Sequence, residues 1–400
     1  MMANRLRSAA MLAAFGLLAV PFAVSAQTVL AAETSAAAPG RLLDARPLAP
    51  ELGLEEAGRA LAIRYGSTDG VAGQGAIEVT GALFLPQGAP PKGGWPLVAW
   101  AHGTVGIGDD CAPSRNVRSL RDRTYLNHWL AEGYAVVATD YQGLGSPGPH
   151  PYLDSRAAAY STLDAIRAVQ GGGFGLSGKV LIVGQSQGAG AAFATAGYAP
   201  DYAPDVDVRG TIATGIPNLA AAASAGTDPD AADKVDRIIA YLLYIASAAQ
   251  QIDPKYDPAA VLTDRAMPAF AEAADTCVVD MFKAVVDAGL TRANSFKGDF
   301  WRYYAPVLKH AGYPTLKITT PVFIGTGSED VDTPAPMQRA LVESACAAGS
   351  TIEAHVYPGL DHSATLNRSS ADSRIFARQA IAGKPVAATC SPAGAVRGDH

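Results

Sequence analysis

Clusters of positive charge are missing from this sequence. Lysine and arginine together number 31, against 37 aspartates and glutamates, and no basic patch stands out along the chain. Nucleic-acid-binding proteins usually carry such a patch, because they must neutralise phosphate groups. The composition therefore excludes a nucleic-acid partner from our expectations. An apolar fraction of 49% with 17% charged residues is instead typical of a globular chain with a large core.

Motifs that bind metals or nucleotides are also absent. The histidines are scattered, no HExxH pair occurs, and no two cysteines have the spacing of a metal site. Neither a phosphate-binding loop nor a dinucleotide fingerprint is found. We therefore expect the protein to use no metal and no cofactor.

The first 26 residues have the pattern of a signal peptide. Arg5 and Arg7 precede an apolar stretch that is interrupted by Pro21, and small residues come directly before Gln27. The stretch is short for a membrane span, which needs about 20 apolar residues. We predict cleavage after Ala26 and a secreted or periplasmic protein without a transmembrane segment. A membrane anchor is the less favoured alternative.

Cysteine is scarce, and its four positions are Cys111, Cys277, Cys346 and Cys390. An even number of cysteines in an exported chain indicates two disulfides, for which three pairings are possible. Four free buried thiols are the alternative, which export makes less favourable. The residues themselves do not select among the pairings.

The chain divides by its pattern of apolar residues. Residues 27–50 are rich in alanine and proline and are predicted to form a flexible leader. From Ala76 onward, short apolar runs alternate with helical stretches, which implies a mostly parallel sheet flanked by helices. We assign this α/β core to residues 51–217 and 315–395. The strand-free segment between them, 218–314, is predicted to be a helical cap or lid.

A possible nucleophile stands at the end of one predicted strand. Residues 184–188, with the sequence GQSQG, follow the apolar run KVLIV and precede small residues of helical character. This arrangement resembles the nucleophile elbow of the α/β-hydrolase fold, in which a serine projects from a sharp strand-to-helix turn. Glycines flank the serine because larger side chains would meet the neighbouring strand and helix. We predict Ser186 as the nucleophile, with a plain glycine turn as the alternative.

A serine nucleophile needs a histidine to accept its proton, and in this fold that histidine comes last in the chain. His310, His355, His362 and His400 follow Ser186. His310 falls in the predicted cap, His355 falls within a strand, and His400 is the terminal residue. His362 follows the last predicted strand, which is the expected position of the base.

The acid that orients the histidine is expected after the preceding strand. The segment PVFIGTGSEDVDTP ends that strand and offers Glu329, Asp330 and Asp332. We choose Asp330, with Asp332 as second choice; a solvated acidic loop is the alternative.

Backbone donors are expected to stabilise the oxyanion of the reaction. One is the N–H of Gln187, the residue after the nucleophile. The second is predicted from the loop WAHGTVG, at Thr104 or Gly103. His102 in the same loop precedes the nucleophile in the chain and is interpreted as a residue that organises the loop.

Four longer segments surround these candidates: HGTVGIGDDCAPS, YAVVATDYQGLGSPGPHPYLDSRAAAYSTLDAIRAV, GQSQGAGAA with the YAPDYAPDVDVRGTIATGIP that follows it, and CAAGSTIEAHVYPGLDH. Together they resemble the secretory lipases of lipase A type, over most of residues 76–395. The resemblance implies hydrolysis of carboxylic esters, including acylglycerols, by Ser186, Asp330 and His362 beneath a helical cap. It also implies the disulfides Cys111–Cys277 and Cys346–Cys390.

These observations predict an exported serine esterase or lipase that acts on a small-molecule or lipid ester through an acyl-enzyme. An acyltransferase, which would use an alcohol in place of water, is one alternative on the same fold. A serine peptidase is another. A non-catalytic binding protein is expected to lose one of the three residues, and all three are present.

Overall fold

The computed structural model describes residues 38–219, 233–253, 255–298 and 300–390. The signal peptide predicted over residues 1–26 lies outside these ranges. Among the described residues, no helix combines the length and the apolar character needed to cross a membrane.

A single sheet runs through the core, and its strands within the described ranges are β1 (Leu42–Pro47), β2 (Ala57–Thr68), β3 (Ala76–Pro86), β4 (Trp95–Ala101), β5 (Ala135–Thr139), β6 (Leu176–Gln185), β7 (Asp207–Thr214), β8 (Val322–Gly327) and β9 (Ile352–Tyr357). Their spatial order is β1-β2-β3-β5-β4-β6-β7-β8-β9. In this spatial order, every neighbouring pair from β5 through β4 to β9 is parallel. The pairs β1–β2, β2–β3 and β3–β5 are antiparallel. The predicted mostly parallel sheet is confirmed.

The flexible leader expected over residues 27–50 is wrong for its last part. Leu42–Pro47 forms the edge strand β1 and pairs with residues 61–65 of β2. In β2, the side chains of Leu61, Ile63 and Tyr65 are buried while Arg64 is exposed. This alternation is typical of a strand, and the sequence analysis missed it by starting the sheet at Ala76.

Helices cover both faces of the sheet, as predicted. They are α1 (Leu120–Ala131), α2 (Ser155–Gln170), α3 (Gln187–Tyr202), α10 (Ala335–Ala347), α11 (His362–Arg368) and α12 (Ser370–Ile381). Side chains of a strand alternate between the faces. In β4, Val98 and Trp100 pack with α1 and α12, whereas Leu97 and Ala99 pack with α2. Two layers of core therefore enclose the sheet and fix the positions of its strand ends.

A helical insertion occupies the chain between β7 and β8. Its described helices are α4 (Ile239–Ile252), α5 (Pro258–Val261), α6 (Met267–Glu272), α7 (Val278–Asp287), α8 (Arg292–Ser295) and α9 (Phe300–His310). They share a core of their own, which includes Leu243, Met281 and Val285 and also takes in Ile107 and Tyr152 from loops of the α/β core. The insertion therefore packs directly on the loops that follow the strands.

Two disulfides join distant parts of the chain, with the pairing that the family resemblance implies. Cys111–Cys277 links the loop after β4 to the start of α7 in the insertion. Cys346–Cys390 links α10 to the C-terminal end of the described residues. There, the backbone of Cys390 also forms hydrogen bonds with that of Ile352 in β9. The described residues contain no free cysteine.

We expect the double substitution Cys346→Ser and Cys390→Ser to destabilise the fold. The bond closes a sequence separation of 44 residues, and removing such a constraint from the unfolded chain lowers the free energy of unfolding by about 4 kcal/mol. Urea unfolding of the variant and of the oxidised parent measures the difference. Identical urea midpoints would show that this bond contributes nothing to stability.

Candidate active site

Ser186 stands in a strained turn between β6 and α3. Its backbone angles are φ 59° and ψ −126°, a region that residues with a side chain rarely adopt. The N–H of Ser186 donates to the carbonyl of Thr214 on β7, at 2.9 Å. The turn is thus held by the neighbouring strand, with Ser186 at the carboxyl edge of the sheet.

The glycines on either side of Ser186 are required by backbone contacts. A Cβ on Gly184 would lie 2.0 Å from the carbonyl oxygen of Gly188, and a Cβ on Gly188 would lie 1.9 Å from that of Ala101. Neither distance leaves room for a carbon atom. The contact with Ala101 also brings the end of β4 against the first turn of α3.

Asp330 and His362 meet at the same edge of the sheet. Asp330 follows β8, and His362 begins α11 after β9. The Nδ1 atom of His362 lies 2.8 Å from Oδ2 of Asp330, and both side chains are buried. The two residues predicted as base and acid are therefore in direct contact.

Two residues that the sequence analysis missed donate hydrogen bonds to the carboxylate of Asp330. The backbone N–H and the hydroxyl of Thr333 donate to it at 2.8 and 2.9 Å, and the side-chain amide of Gln338 donates at 3.1 Å. Hydrogen bonds of this kind fix the orientation of a carboxylate. The carboxylate is thereby held toward the ring of His362.

Asp332, the second choice for the acid, has a different partner. Its carboxylate lies 2.9 Å from a guanidinium nitrogen of Arg237, which stands just before α4 in the insertion. Burial raises the pKa of Asp332, although His362 and Arg237 nearby act in the opposite direction. Asp332 joins the acid-bearing loop to the insertion.

One nitrogen of His362 remains unpaired. Nε2 is buried and has no hydrogen-bond partner within the described part of the chain. Ser186 and His362 border the same cavity. Because Nδ1 faces Asp330, the ring turns its free nitrogen away from the acid and can accept a proton there.

The other histidines that follow Ser186 in the chain have partners elsewhere or lie outside the described residues. His310 lies 2.9 Å from a carboxylate oxygen of Asp154, and His355 lies 3.1 Å from one of Glu353. His400 falls outside the described ranges.

His102 is buried in the loop after β4. Its ring nitrogens lie 2.7 Å from the carbonyl oxygen of Gly103 and 3.3 Å from that of Asp140. Burial lowers the pKa of His102 to about 4, so the ring is neutral at physiological pH. A neutral, packed imidazole fits the role of loop organiser.

The predicted oxyanion donors lie beside Ser186. Gln187 begins α3, where backbone N–H groups have no intrahelical acceptor. A Cβ on Gly103 would lie 3.3 Å from the Cβ of Ser186, which shows how closely this loop approaches. The hydroxyl of Thr104 lies 2.7 Å from that of Tyr152, a contact that the sequence analysis missed.

Two cavities meet at this site, and both are bordered by Ser186, Thr104, Tyr241 and Asp332. The first cavity, of about 560 Å³, lies between the core and α4; its apolar lining includes Leu153, Ile238, Leu242, Ile245, Val331 and Met337. The second cavity, of about 550 Å³, extends past His362 toward charged side chains at the start of α1. Ser186 therefore separates an apolar space from a more polar one.

This geometry agrees with a comparison of the sequence with known families. Residues 113–371, well over half of the chain, match the family described as secretory lipase. The chain belongs to the secretory lipase family. As a member of that family it is a carboxylic ester hydrolase. No functionally curated protein gives a significant sequence match.

Solved structures give the same fold for this secretory-lipase chain. Lipase A of Candida antarctica in its closed state superposes with a TM-score of 0.72 at 20% identity, covering 91% of this chain and 87% of that one. The rice cell wall degrading esterase LipA of Xanthomonas oryzae has a TM-score of 0.67 at 22% identity, with coverages of 86% and 98%. A putative hydrolase of Legionella pneumophila has a TM-score of 0.62 at 18% identity, with coverages of 80% and 89%.

We expect Gly188→Ala to lower the free energy of unfolding by about 3 kcal/mol or more, because the new methyl group would overlap backbone that cannot move alone. Gly178→Ala in the same strand-and-turn segment is the matched control, since a Cβ there meets nothing within 4 Å. Thermal melting of both variants measures the effect. Equal melting temperatures would contradict the packing argument.

Proposed function

We propose that Ser186, His362 and Asp330 act as nucleophile, general base and orienting acid of an exported ester hydrolase. Ser186 attacks the ester carbonyl, and His362 accepts the hydroxyl proton and then donates a proton to the departing alcohol. In the second half of the catalytic cycle, His362 activates a water molecule, which hydrolyses the acyl-enzyme and releases the acyl group. One observation carries this proposal: the buried contact between His362 and Asp330, with Nε2 of His362 unpaired in the cavity that Ser186 borders.

The contact with Asp330 supports a specific protonation of the ring. When Nδ1 donates its hydrogen to the carboxylate, Nε2 has the free electron pair that a general base needs. The carboxylate then stabilises the imidazolium that forms as the serine loses its proton. Thr333 and Gln338 keep the carboxylate in this orientation throughout the cycle.

The tetrahedral intermediate carries its negative charge on the former carbonyl oxygen. We assign its stabilisation to the N–H of Gln187 and to that of Thr104 or Gly103, each worth about 3 kcal/mol in a preorganised site. The positive end of the α3 dipole adds to this stabilisation. Tyr152 supports the arrangement, because its hydroxyl contacts that of Thr104.

The two cavities divide the substrate between them. The first cavity is lined by apolar side chains of α4 and of the segment around Met337, and it suits the acyl chain. The second cavity then receives the alcohol part of the ester. In this proposal the helical insertion is the cap that lines the cavity for the acyl chain.

Export is the remaining part of the proposal. Two disulfides in the described residues favour an oxidising compartment. They agree with the signal peptide predicted over residues 1–26, and the family name itself refers to secretion.

The test of this function is hydrolysis of p-nitrophenyl esters from acetate to palmitate by the mature protein and by Ser186→Ala. We expect turnover by the parent and a loss of about 10⁴-fold or more in kcat in the variant, because the acyl-enzyme can no longer form. A maximum at long chains would identify a lipase, and one at acetate or butyrate an esterase. Turnover that survives in Ser186→Ala would overturn the proposal.

The choice of acid is tested by comparing Asp330→Asn with Asp332→Asn. The asparagine at 330 cannot hold the imidazolium, so we expect kcat to fall by about 10³- to 10⁴-fold. The change at 332 removes the charge paired with Arg237 but leaves the contact between Asp330 and His362 in place, so we expect a loss below about tenfold. A larger loss in Asp332→Asn than in Asp330→Asn would reverse the assignment.

A further inference from the structure

The loop between β5 and α2 is held in a strained backbone conformation. Near its two ends, Tyr141 and Leu153 have φ angles of 70° and 65°. Among the described residues, only these two and Ser186 combine a side chain with a positive φ. Strain of this kind persists where surrounding contacts enforce it, and it is concentrated at functional sites. The loop is therefore a candidate for a role in the active site.

His150 lies in this loop, and each of its ring nitrogens faces a partner. The ring is buried, and Nδ1 lies 2.9 Å from the carbonyl oxygen of Gln142. Because a carbonyl oxygen only accepts, Nδ1 has the hydrogen. Burial lowers the pKa of His150 to about 4, so the ring is neutral at physiological pH and Nε2 is an acceptor. The side-chain nitrogen of Gln187 lies 3.4 Å from Nε2 and donates to it.

The side chain of Gln187 is anchored next to the peptide group that the oxyanion needs. The backbone N–H of Gln187 is the first proposed donor, and it belongs to the peptide group between Ser186 and Gln187. Relief of the strain at Ser186, where φ is 59° and ψ is −126°, would rotate this peptide group and turn the N–H away from the oxyanion. A preorganised donor is effective because it is fixed before the reaction begins. The contact with His150 therefore helps to keep this donor in place.

Tyr141, which stacks on His150, fixes the other side of the oxyanion site. The two rings are nearly parallel, at 14°, with centroids 6.2 Å apart. The hydroxyl of Tyr141 donates to the carbonyl oxygen of His102 at 3.0 Å. That carbonyl belongs to the same peptide group as the N–H of Gly103, one of the two candidates for the second donor. His150 therefore contacts the supports of both donors.

We propose that His150 is a positioning residue of the oxyanion site and acts by holding the side-chain amide of Gln187. This inference rests on the proposed function, since it concerns the same acyl-enzyme chemistry. His150 borders neither of the two cavities that meet at Ser186, so it does not touch the substrate. Its loss should weaken stabilisation of the tetrahedral oxyanion and leave binding of the uncharged ester unchanged.

Two substitutions of His150 separate its contact with Gln187 from its contact with Gln142. The shorter amide in His150→Asn keeps a donor for the carbonyl of Gln142 but does not reach Gln187. The amide in His150→Gln reaches the position of Nε2 and supplies an acceptor there. With p-nitrophenyl butanoate we expect kcat to fall about 10- to 100-fold in His150→Asn and to stay within about fivefold of the parent in His150→Gln. KM should change by less than about twofold in both, because acylation and deacylation use the same oxyanion site.

Two inhibitors that differ in one functional group report on the oxyanion site directly. The hydroxyl oxygen of Ser186 adds to the carbonyl of 1,1,1-trifluorooctan-2-one, its proton passes to His362, and the carbonyl oxygen becomes the anion of a tetrahedral adduct. The corresponding alcohol, 1,1,1-trifluorooctan-2-ol, has no carbonyl and forms no adduct. In His150→Asn we expect the Ki of the ketone to rise about 10- to 100-fold and that of the alcohol to rise less than about twofold.

Gln187→Leu tests the same contact from its other end and keeps the backbone N–H. We expect the same selective losses in kcat and in ketone binding. Adding His150→Asn to this variant should lower kcat by less than about twofold more, because both changes break one contact.

His355→Asn is the matched control. His355 pairs with Glu353 on β9 and borders neither cavity. Its substitution should leave kcat and both inhibition constants within about twofold of the parent values.

The outcomes separate the role of His150 from the function beneath it. Equal values of kcat in His150→Asn and His150→Gln, equal changes in Ki for the ketone and the alcohol, or additive losses in the double variant would overturn the positioning role and leave the hydrolase intact. If His150→Asn does not fold, Gln187→Leu decides alone, and unchanged kcat and ketone binding would overturn the role. A parent that hydrolyses no ester, or activity that persists in Ser186→Ala, would overturn the proposed function and the inference together.

Discussion

The close approach of three backbone segments around Ser186 is the constraint on which the site depends. Gly188 contacts the carbonyl of Ala101, Gly184 contacts that of Gly188, and the N–H of Ser186 donates to Thr214. The ends of β4, β6 and β7 are therefore fixed relative to one another within van der Waals distance. The loop after β4 and the first turn of α3 are thereby brought to Ser186, and the ends of β8 and β9 add Asp330 and His362 at the same edge.

Much of this arrangement is encoded in local sequence patterns. The apolar runs and the glycines around Ser186 predicted the parallel strands and the turn, since each depends on residues adjacent in the chain. The strand β2 could also have been predicted from its sequence, because Leu61, Ile63 and Tyr65 occupy alternate positions. The strand β1 could not be predicted in this way, because Leu42–Pro47 becomes a strand only through pairing with β2.

The supporting contacts of the site could not be predicted in the same way. Tyr152 meets Thr104 across a separation of 48 residues, and their contact depends on how two loops pack. Gln338 reaches Asp330 because α10 turns back over the acid-bearing loop. Such residues become visible when the folded neighbourhood is known.

The helical insertion is held to the core unequally along its length. At the α7 end, the Cys111–Cys277 bond and a hydrogen bond from the N–H of Val278 to the carbonyl of Val105 attach it to the loop that approaches Ser186. At the α4 end, an ion pair between Arg237 and Asp332 spans the gap. The first attachment is covalent, and the second is an ion pair in which the Asp332 side chain is buried. The insertion therefore stays cross-linked to the loop beside Ser186 even where its noncovalent contacts with the core break.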